Sequence, residues 1–119
     1  MPPILPPRDG FLFLDREKFH ASFAADLSAD LAGFMADSQV PWGLEALNGA
    51  VTKPAWKSKP SWYVLANDDQ TVHPDLQRSV SKRMKAATTE VTSSHVPMLS
   101  KPAVVLDAIR AAASAVQKG

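Results

Sequence analysis

Residues Trp62 to Pro74 read WYVLANDDQTVHP, a stretch that changes character in its middle. Trp62 to Ala66 is a short apolar run of the kind that a parallel sheet buries on both faces. Asn67, Asp68, Asp69 and Gln70 then read as a turn, and Pro74 opens a helix, where its fixed φ is tolerated. A strand, an acidic turn at the strand's C-terminal end and a helix are the parts of an α/β unit. That end is where open α/β sheets gather their chemistry.

Working toward the C-terminus, the pattern predicts a helix over Pro74 to Ala87, a strand over Thr88 to Thr92, a loop over Ser93 to Leu99 and a helix from Lys101 to about Gln117. Leu76, Val80 and Met84 fall on one stripe of the first helix, and Arg78, Lys82, Arg83 and Lys85 lie largely off it, as a solvated face. Ser100 is placed to cap the last helix, with Pro102 in its first turn. Val105, Ile109, Ala112 and Val116 form its narrow apolar seam. Working toward the N-terminus, Thr52 to Pro60 is a Lys- and Pro-rich loop, a candidate subdomain boundary, preceded by a short helical segment within Gly43 to Val51. Asp15 to Asp37 carries helical spacing, with Phe19, Phe23 and Leu27 four apart. Ser28 is an N-cap for a second helix that holds Leu31, Phe34 and Met35. Met1 to Gly10 contains PPILPP, which fixes the backbone extended and removes donors, so a linker or a surface-hugging arm is expected there.

Composition narrows the field. At 119 residues the chain fits one domain with room for a core. Thirteen Lys and Arg against twelve Asp and Glu leave a net charge of +1, too weak a field to point to nucleic acid or an anionic membrane. With no cysteine there is no disulfide framework, thiolate metal site or cysteine nucleophile. The three histidines, His20, His73 and His95, show neither His-x-His nor His-x-x-x-His spacing, so no metal site is expected. No apolar run reaches the roughly 20 residues of a spanning helix, and the N-terminus lacks the basic start and apolar centre of a secretory signal. A soluble protein is expected.

Each strand is followed by a polar loop holding a group that catalysis uses: Asp68 or Asp69 after the first, His95 after the second. Parallel strands joined by one crossover helix are commonly adjacent, which brings both loops to one edge of the sheet. A carboxylate there can fix the imidazole tautomer and stabilise its protonated form, the orienting half of a Ser-His-Asp relay. The plainer account is that an Asp-Asp pair serves a turn and a lone loop histidine is exposed or hydrogen-bonded. His20 reads as a residue at the edge of the Phe19 and Phe23 stripe, and His73 as a cap for the helix that Pro74 opens.

The two segments KPSWYVLANDDQTVHPDLQRSVSKRM and TSSHVPMLSKPAVVLDAI together resemble the C-terminal end of an α/β-hydrolase of the esterase and haloperoxidase-like branch. Asp69, Gln70, Thr71, Val72, His73 and Pro74 match the acid-bearing turn after the penultimate strand. Ser94, His95, Val96, Pro97, Met98, Leu99, Ser100, Lys101 and Pro102 match the histidine loop and the helix that follows. DGFLFLDREKFHASFAADL through DSQVPWG resembles the helical cap of the same branch. The resemblance implies Asp69 as the triad acid, His95 as the general base and Asp68 as a turn residue. It implies an α/β fold divided into a proline-rich arm (1–10), a helical cap segment (11–51) and a C-terminal hydrolase segment (52–119). A small ester-type substrate is implied, with no cofactor, and Phe19, Phe23, Phe34, Met35 and Trp42 would supply an apolar substrate wall. Core packing accounts for the same five side chains equally well.

The family's nucleophile elbow, Gly-x-Ser-x-Gly, has no counterpart here, because no two of Gly10, Gly33, Gly43, Gly49 and Gly119 lie four apart. Ser93 and Ser94 immediately precede His95 on extended backbone and are poorly placed to hand a proton to it, and Ser58 and Ser61 lie at the opposite edge of the sheet. The family's sheet has about eight strands by resemblance, and two are legible. Two parallel strands alone leave an edge that invites another chain. Two expectations of different class follow. One is the acid-and-base portion of a serine ester hydrolase, inactive alone and completed by an N-terminal hydrolase fragment. The other is a non-catalytic truncated domain that associates with itself as a swapped homo-oligomer.

Overall fold

The computed structural model describes residues 1–117. Strand β3 (Trp62–Ala66) pairs in parallel with β4 (Ala87–Val91), Trp62 opposite Ala87 and Ala66 opposite Val91. Between them runs helix α4 (Pro74–Arg83), and after them a single turn α5 (Pro97–Ser100) and helix α6 (Pro102–Gln117). Helix α4 packs on β3, and α6 packs on both strands. Ser100 does not cap α6. It sits in α5, with its hydroxyl donating to the Val96 carbonyl, because the chain makes an extra turn before the long helix starts.

Helix α4 ends earlier than its apolar spacing suggests. Lys85 adopts φ 53°, the Ala86 N–H donates to the Ser81 carbonyl and the Lys85 N–H to the Lys82 carbonyl, both at 3.0 Å. This is a Schellman stop with lysine in the left-handed position that glycine usually fills. The helix is also turned relative to the expected stripe. Gln77 and Ser81 are its buried residues, and Leu76 is exposed. The polar needs of the preceding turn, met by Gln77, set that rotation. Likewise β3 is not buried throughout. Trp62 to Val64 are half-buried and only Leu65 and Ala66 are buried, since no strand flanks its outer edge among the described residues.

Upstream, α1 (Arg16–Phe23) and α2 (Ala29–Asp37) form an antiparallel pair. Asp15 caps α1 by accepting from the Glu17 and Lys18 N–H groups, and the Ser28 hydroxyl caps α2 through the Leu31 N–H. Phe19, Ala24, Ala32 and Ala36 are buried together, with Leu14, Phe23, Leu27 and Met35 packed around them. The fifth buried member of this cluster is Val96, which comes from the loop after β4. The helical pair and the histidine loop therefore share one core. Strand β2 (Trp42–Gly43) and the short helix α3 (Leu44–Asn48) follow, and a 3₁₀ turn over Ala55–Lys57 places Trp56 under the Arg83 guanidinium, 5.5 Å from the ring centre.

The N-terminal arm is more structured than its prolines suggest. Arg8 and Phe11 exchange two backbone hydrogen bonds across Asp9 and Gly10, both at positive φ, a two-residue hairpin turn. Ile4 bridges to Leu14, and the Leu5 N–H donates to the Phe13 carbonyl at 2.9 Å. The other side of this hairpin is β1 (Phe11–Leu12), which pairs antiparallel with β2. Gln39 locks the patch to α2, its side-chain amide exchanging hydrogen bonds with both backbone groups of Leu14 while also donating to the Ala36 carbonyl. Asp-Gly was the available signal for the hairpin, outweighed in the sequence by the prolines.

A left-handed lysine at the α4 stop is strained by about 1–2 kcal/mol, partly offset by the greater chain entropy glycine would lose. Lys85→Gly should therefore stabilise the chain by about 0.5–1 kcal/mol, seen as a rise of a few degrees in Tm. A lowered Tm would contradict the assignment.

Candidate active site

The parallel ladder does not stop at the strand ends. The Asn67 N–H donates to the Val91 carbonyl at 2.9 Å, and the Asp68 N–H to the Ser93 carbonyl at 3.1 Å. The two loops after β3 and β4 thus stay paired, but neighbouring donors on one side meet carbonyls two apart on the other, so the loop after β4 gains one residue on the strand register and Asp69 comes to lie beside His95 instead of Ser94. The Asp69 Oδ2 lies 2.7 Å from the His95 Nδ1. Asp68 remains an exposed turn residue that contributes its backbone to the pairing.

Asp69 is buried, 3% exposed, and four donors converge on its carboxylate. Oδ1 accepts from the Thr71 N–H at 2.8 Å and the Val72 N–H at 2.9 Å, an Asx-type turn that the sequence DQTV folds by itself. Oδ2 accepts from the Gln77 amide at 2.9 Å and from His95. With the carboxylate an acceptor at every bond, Nδ1 of His95 carries the proton and Nε2 of the neutral ring keeps its lone pair. Among the described residues Nε2 has no hydrogen-bond partner, and the His95 side chain is 31% exposed.

Gln77 is the side chain that sequence reasoning missed. It is buried in α4, where its Oε1 accepts from the Ala66 N–H at 3.1 Å while its amide donates to Asp69 and, at 2.7 Å, to the Val72 carbonyl. One residue thus joins the end of β3, the acid and the turn after it. A mid-helix glutamine beside an apolar stripe reads as surface, so its role appears only once the turn is built.

The helical pair closes over the dyad from one side. The Phe23 ring centre lies 4.8 Å from that of His95, and the Thr71 hydroxyl donates to the Ser22 carbonyl at 2.8 Å. In the turn between α1 and α2, Asp26 accepts from the Ser94 N–H at 3.0 Å and from the Ser94 hydroxyl at 2.5 Å. Burial acts to raise the Asp26 pKa, but the hydroxyl and N–H of Ser94, with smaller contributions from Ser100 and the local backbone, together outweigh it and hold the carboxyl below its ordinary 3.8. Ser93 is occupied too, its hydroxyl donating to the Ser94 carbonyl, so neither serine offers its proton to His95. Ser58 and Ser61 likewise bond to nearby backbone carbonyls. His73 accepts from the Asp75 N–H as the cap of α4, and His20 donates to the Leu27 carbonyl.

Of the five apolar residues singled out in the sequence, the structure brings Phe23 to the histidine. Phe19 lies in the shared core, with Met35 packed against that core. Phe34 is 70% exposed on α2, and Trp42 is 46% exposed in β2. The cleft that does open beside the dyad, about 370 Å³, runs along the outer edge of β3 past Tyr63 and Val64 and is walled by Pro97, Met98 and Val105. No group of three or more His, Cys, Asp or Glu side chains among the described residues could hold a metal ion. No helix among them is long and apolar enough to cross a membrane.

Burial, with the Asp69 charge adding to it, pushes the Tyr63 phenol above its ordinary 10.0. Tyr63 is the single tyrosine, so tyrosinate absorbance follows it alone. The folded chain should titrate above pH 10.0. Because the folded pKa is the higher one, the associated stability is present below 10.0 and lost as pH rises through the folded value. Asp69→Asn should bring the midpoint only part of the way down, since burial is the larger cause; a wild-type midpoint at or below 10.0 would refute the placement of Tyr63.

A search of the curated proteins finds no match to the chain. The profile of the alpha/beta hydrolase family, by contrast, matches residues 1–108, which takes in the hairpin arm, the helical pair, both parallel strands and the acid–histidine pair. With nine-tenths of its length covered by that match, and with strand, acid turn, helix, strand and histidine loop in the order described, the chain belongs to the alpha/beta hydrolase family.

Proposed function

We propose that this chain supplies the acid and base of a serine ester hydrolase of the esterase and haloperoxidase-like branch, with Asp69 orienting His95. The observation that carries the reading is the 2.7 Å contact between a fully hydrogen-bonded, buried carboxylate and an imidazole whose other nitrogen is unpartnered among the described residues. His95 Nε2 takes the proton of a serine nucleophile as that serine attacks the ester carbonyl, and returns it to the departing alcohol oxygen. Asp69 keeps the ring in the reactive tautomer and stabilises the imidazolium in between. The serine and its oxyanion-hole amides come from a Gly-x-Ser-x-Gly segment, which these 119 residues do not contain. Phe23, Tyr63 and Met98 are the side chains best placed to line the acyl site; no cofactor enters the reaction.

The outer edge of β3 supports the second half of the reading, because it adjoins the dyad cleft and, short of Ala66, whose backbone Gln77 holds, has no strand paired to it among the described residues. The rest of the sheet, from an N-terminal hydrolase segment, docks there and brings the elbow to the cleft. The same edge favours one other reading, in which a second copy of the chain occupies it and the domain is a non-catalytic homo-oligomer.

The test is hydrolysis of a chromogenic short-chain ester by the chain alone and by the chain coexpressed with an N-terminal hydrolase segment carrying Gly-x-Ser-x-Gly, alongside the native mass of each sample. The pair should turn over the ester where the chain alone does not, and His95→Ala should cut that rate by about 10²–10⁴-fold. Turnover by the pair that is insensitive to His95→Ala would overturn the reading. A clean homo-oligomer that excludes the partner would favour self-association.

A further inference from the structure

Three contacts from the end of α1 and the turn after it straddle the acid–base pair. The Ser22 carbonyl holds the Thr71 hydroxyl, two residues past Asp69; Phe23 lies against the His95 ring; and Asp26 holds Ser94, the residue before His95. The last is the strongest in kind, a carboxylate receiving both an N–H and a hydroxyl from one buried residue. Ser94 is 2% exposed, so with the exposed Asp26 carboxylate in place its two donors are screened from water and both rest on that one group. Their direction is set by the backbone of Ser94, and that backbone fixes where the next residue's side chain departs.

We infer that Asp26 is a positioning residue for His95, acting through Ser94 to set the imidazole at its working distance from Asp69. This deepens the reading of Asp69 and His95 as acid and base and rests on it. The helical pair then does more than cover the cleft. Its turn holds the base in register with the acid, while Ser22 holds the acid's turn from the same element. Any displacement of the α1–α2 turn from the sheet edge moves Ser94, and the imidazole with it.

The experiment uses the full chain, ¹⁵N-labelled, and reads the His95 ring by NMR: the tautomer from its two nitrogen shifts, the exchange rate of the Nδ1 proton, and the ring-current shift that Phe23 imposes on the imidazole protons. In the wild type His95 should show a single Nδ1–H tautomer and a Phe23-shifted signal. In Asp26→Ala the Nδ1 proton should exchange at least about tenfold faster, the loss expected for a charge-assisted hydrogen-bond pair. The ring-current shift should collapse, while the His20 and His73 signals stay in place. Asp26→Asn, which keeps one neutral acceptor, should fall between the two. His95 signals unchanged in a folded Asp26→Ala chain would overturn the assignment. If that variant does not fold, unchanged signals in Asp26→Asn would overturn it equally. No substrate is used, so a His95 that depends on Asp26 in a chain that never complements an esterase would sink the hydrolase reading and leave the positioning role standing.

Discussion

The backbone hydrogen bonds that carry the β3–β4 pairing past the strand ends are what the remainder of the structure depends on. They are ordinary amide–carbonyl bonds, from Asn67 to Val91 and from Asp68 to Ser93. Their effect is to count residues. With Ala66 opposite Val91, an unbroken register would set Asp69 opposite Ser94; because Asn67 and Asp68 donate to Val91 and Ser93, the second strand gains one residue and His95 comes within reach of Asp69. That single extra residue is what puts His95 and not Ser94 at the acid, and its loss would separate the pair. The helix between the strands and the long helix after them hold the ladder from outside.

A buried carboxylate is expensive unless every acceptor site is used, and here the surrounding chain uses them. The turn provides two N–H groups at almost no extra cost, since DQTV folds around its own aspartate. Gln77 provides the third donor and, in doing so, satisfies the end of β3 and the Val72 carbonyl. Only the fourth position is left for a group that can change its protonation, and His95 fills it. The arrangement explains why α4 buries a glutamine and a serine while leaving Leu76 exposed. The polar geometry of the turn outweighs the small gain from burying one more leucine.

The strands, the helices flanking them, the caps at Ser28 and His73 and the meeting of a carboxylate after β3 with His95 were legible in the sequence, because each rests on local spacing or on the adjacency of parallel strands, while the choice of Asp69 over Asp68 came only with the resemblance to the family. What was not legible rests on polar side chains that are neutral in pattern and find their partners only once the fold is built. Asp26 reads as a loop aspartate until Ser94 arrives from 68 residues away. Gln77 reads as surface until the turn reaches back to it. The N-terminal hairpin was legible in principle, through Asp9 and Gly10, but four prolines nearby speak against a strand. Here they are tolerated because the arm is an edge, where missing donors leave no buried partner unsatisfied.

Val96 gives the helical pair a dependence that its position in the chain conceals. The pair looks like an insertion that could be exchanged for another of similar length, yet its buried centre is closed by a valine from the far end of the chain, beside three alanines too small to close it themselves. It is therefore not a module. A helical pair grafted in from a relative would arrive without the side chain that completes its interior, and changes at Val96 would be felt as loosening of the helices before they were felt at the strand. The two regions form one packing unit, and swapping one between family members without the other exchanges half of it.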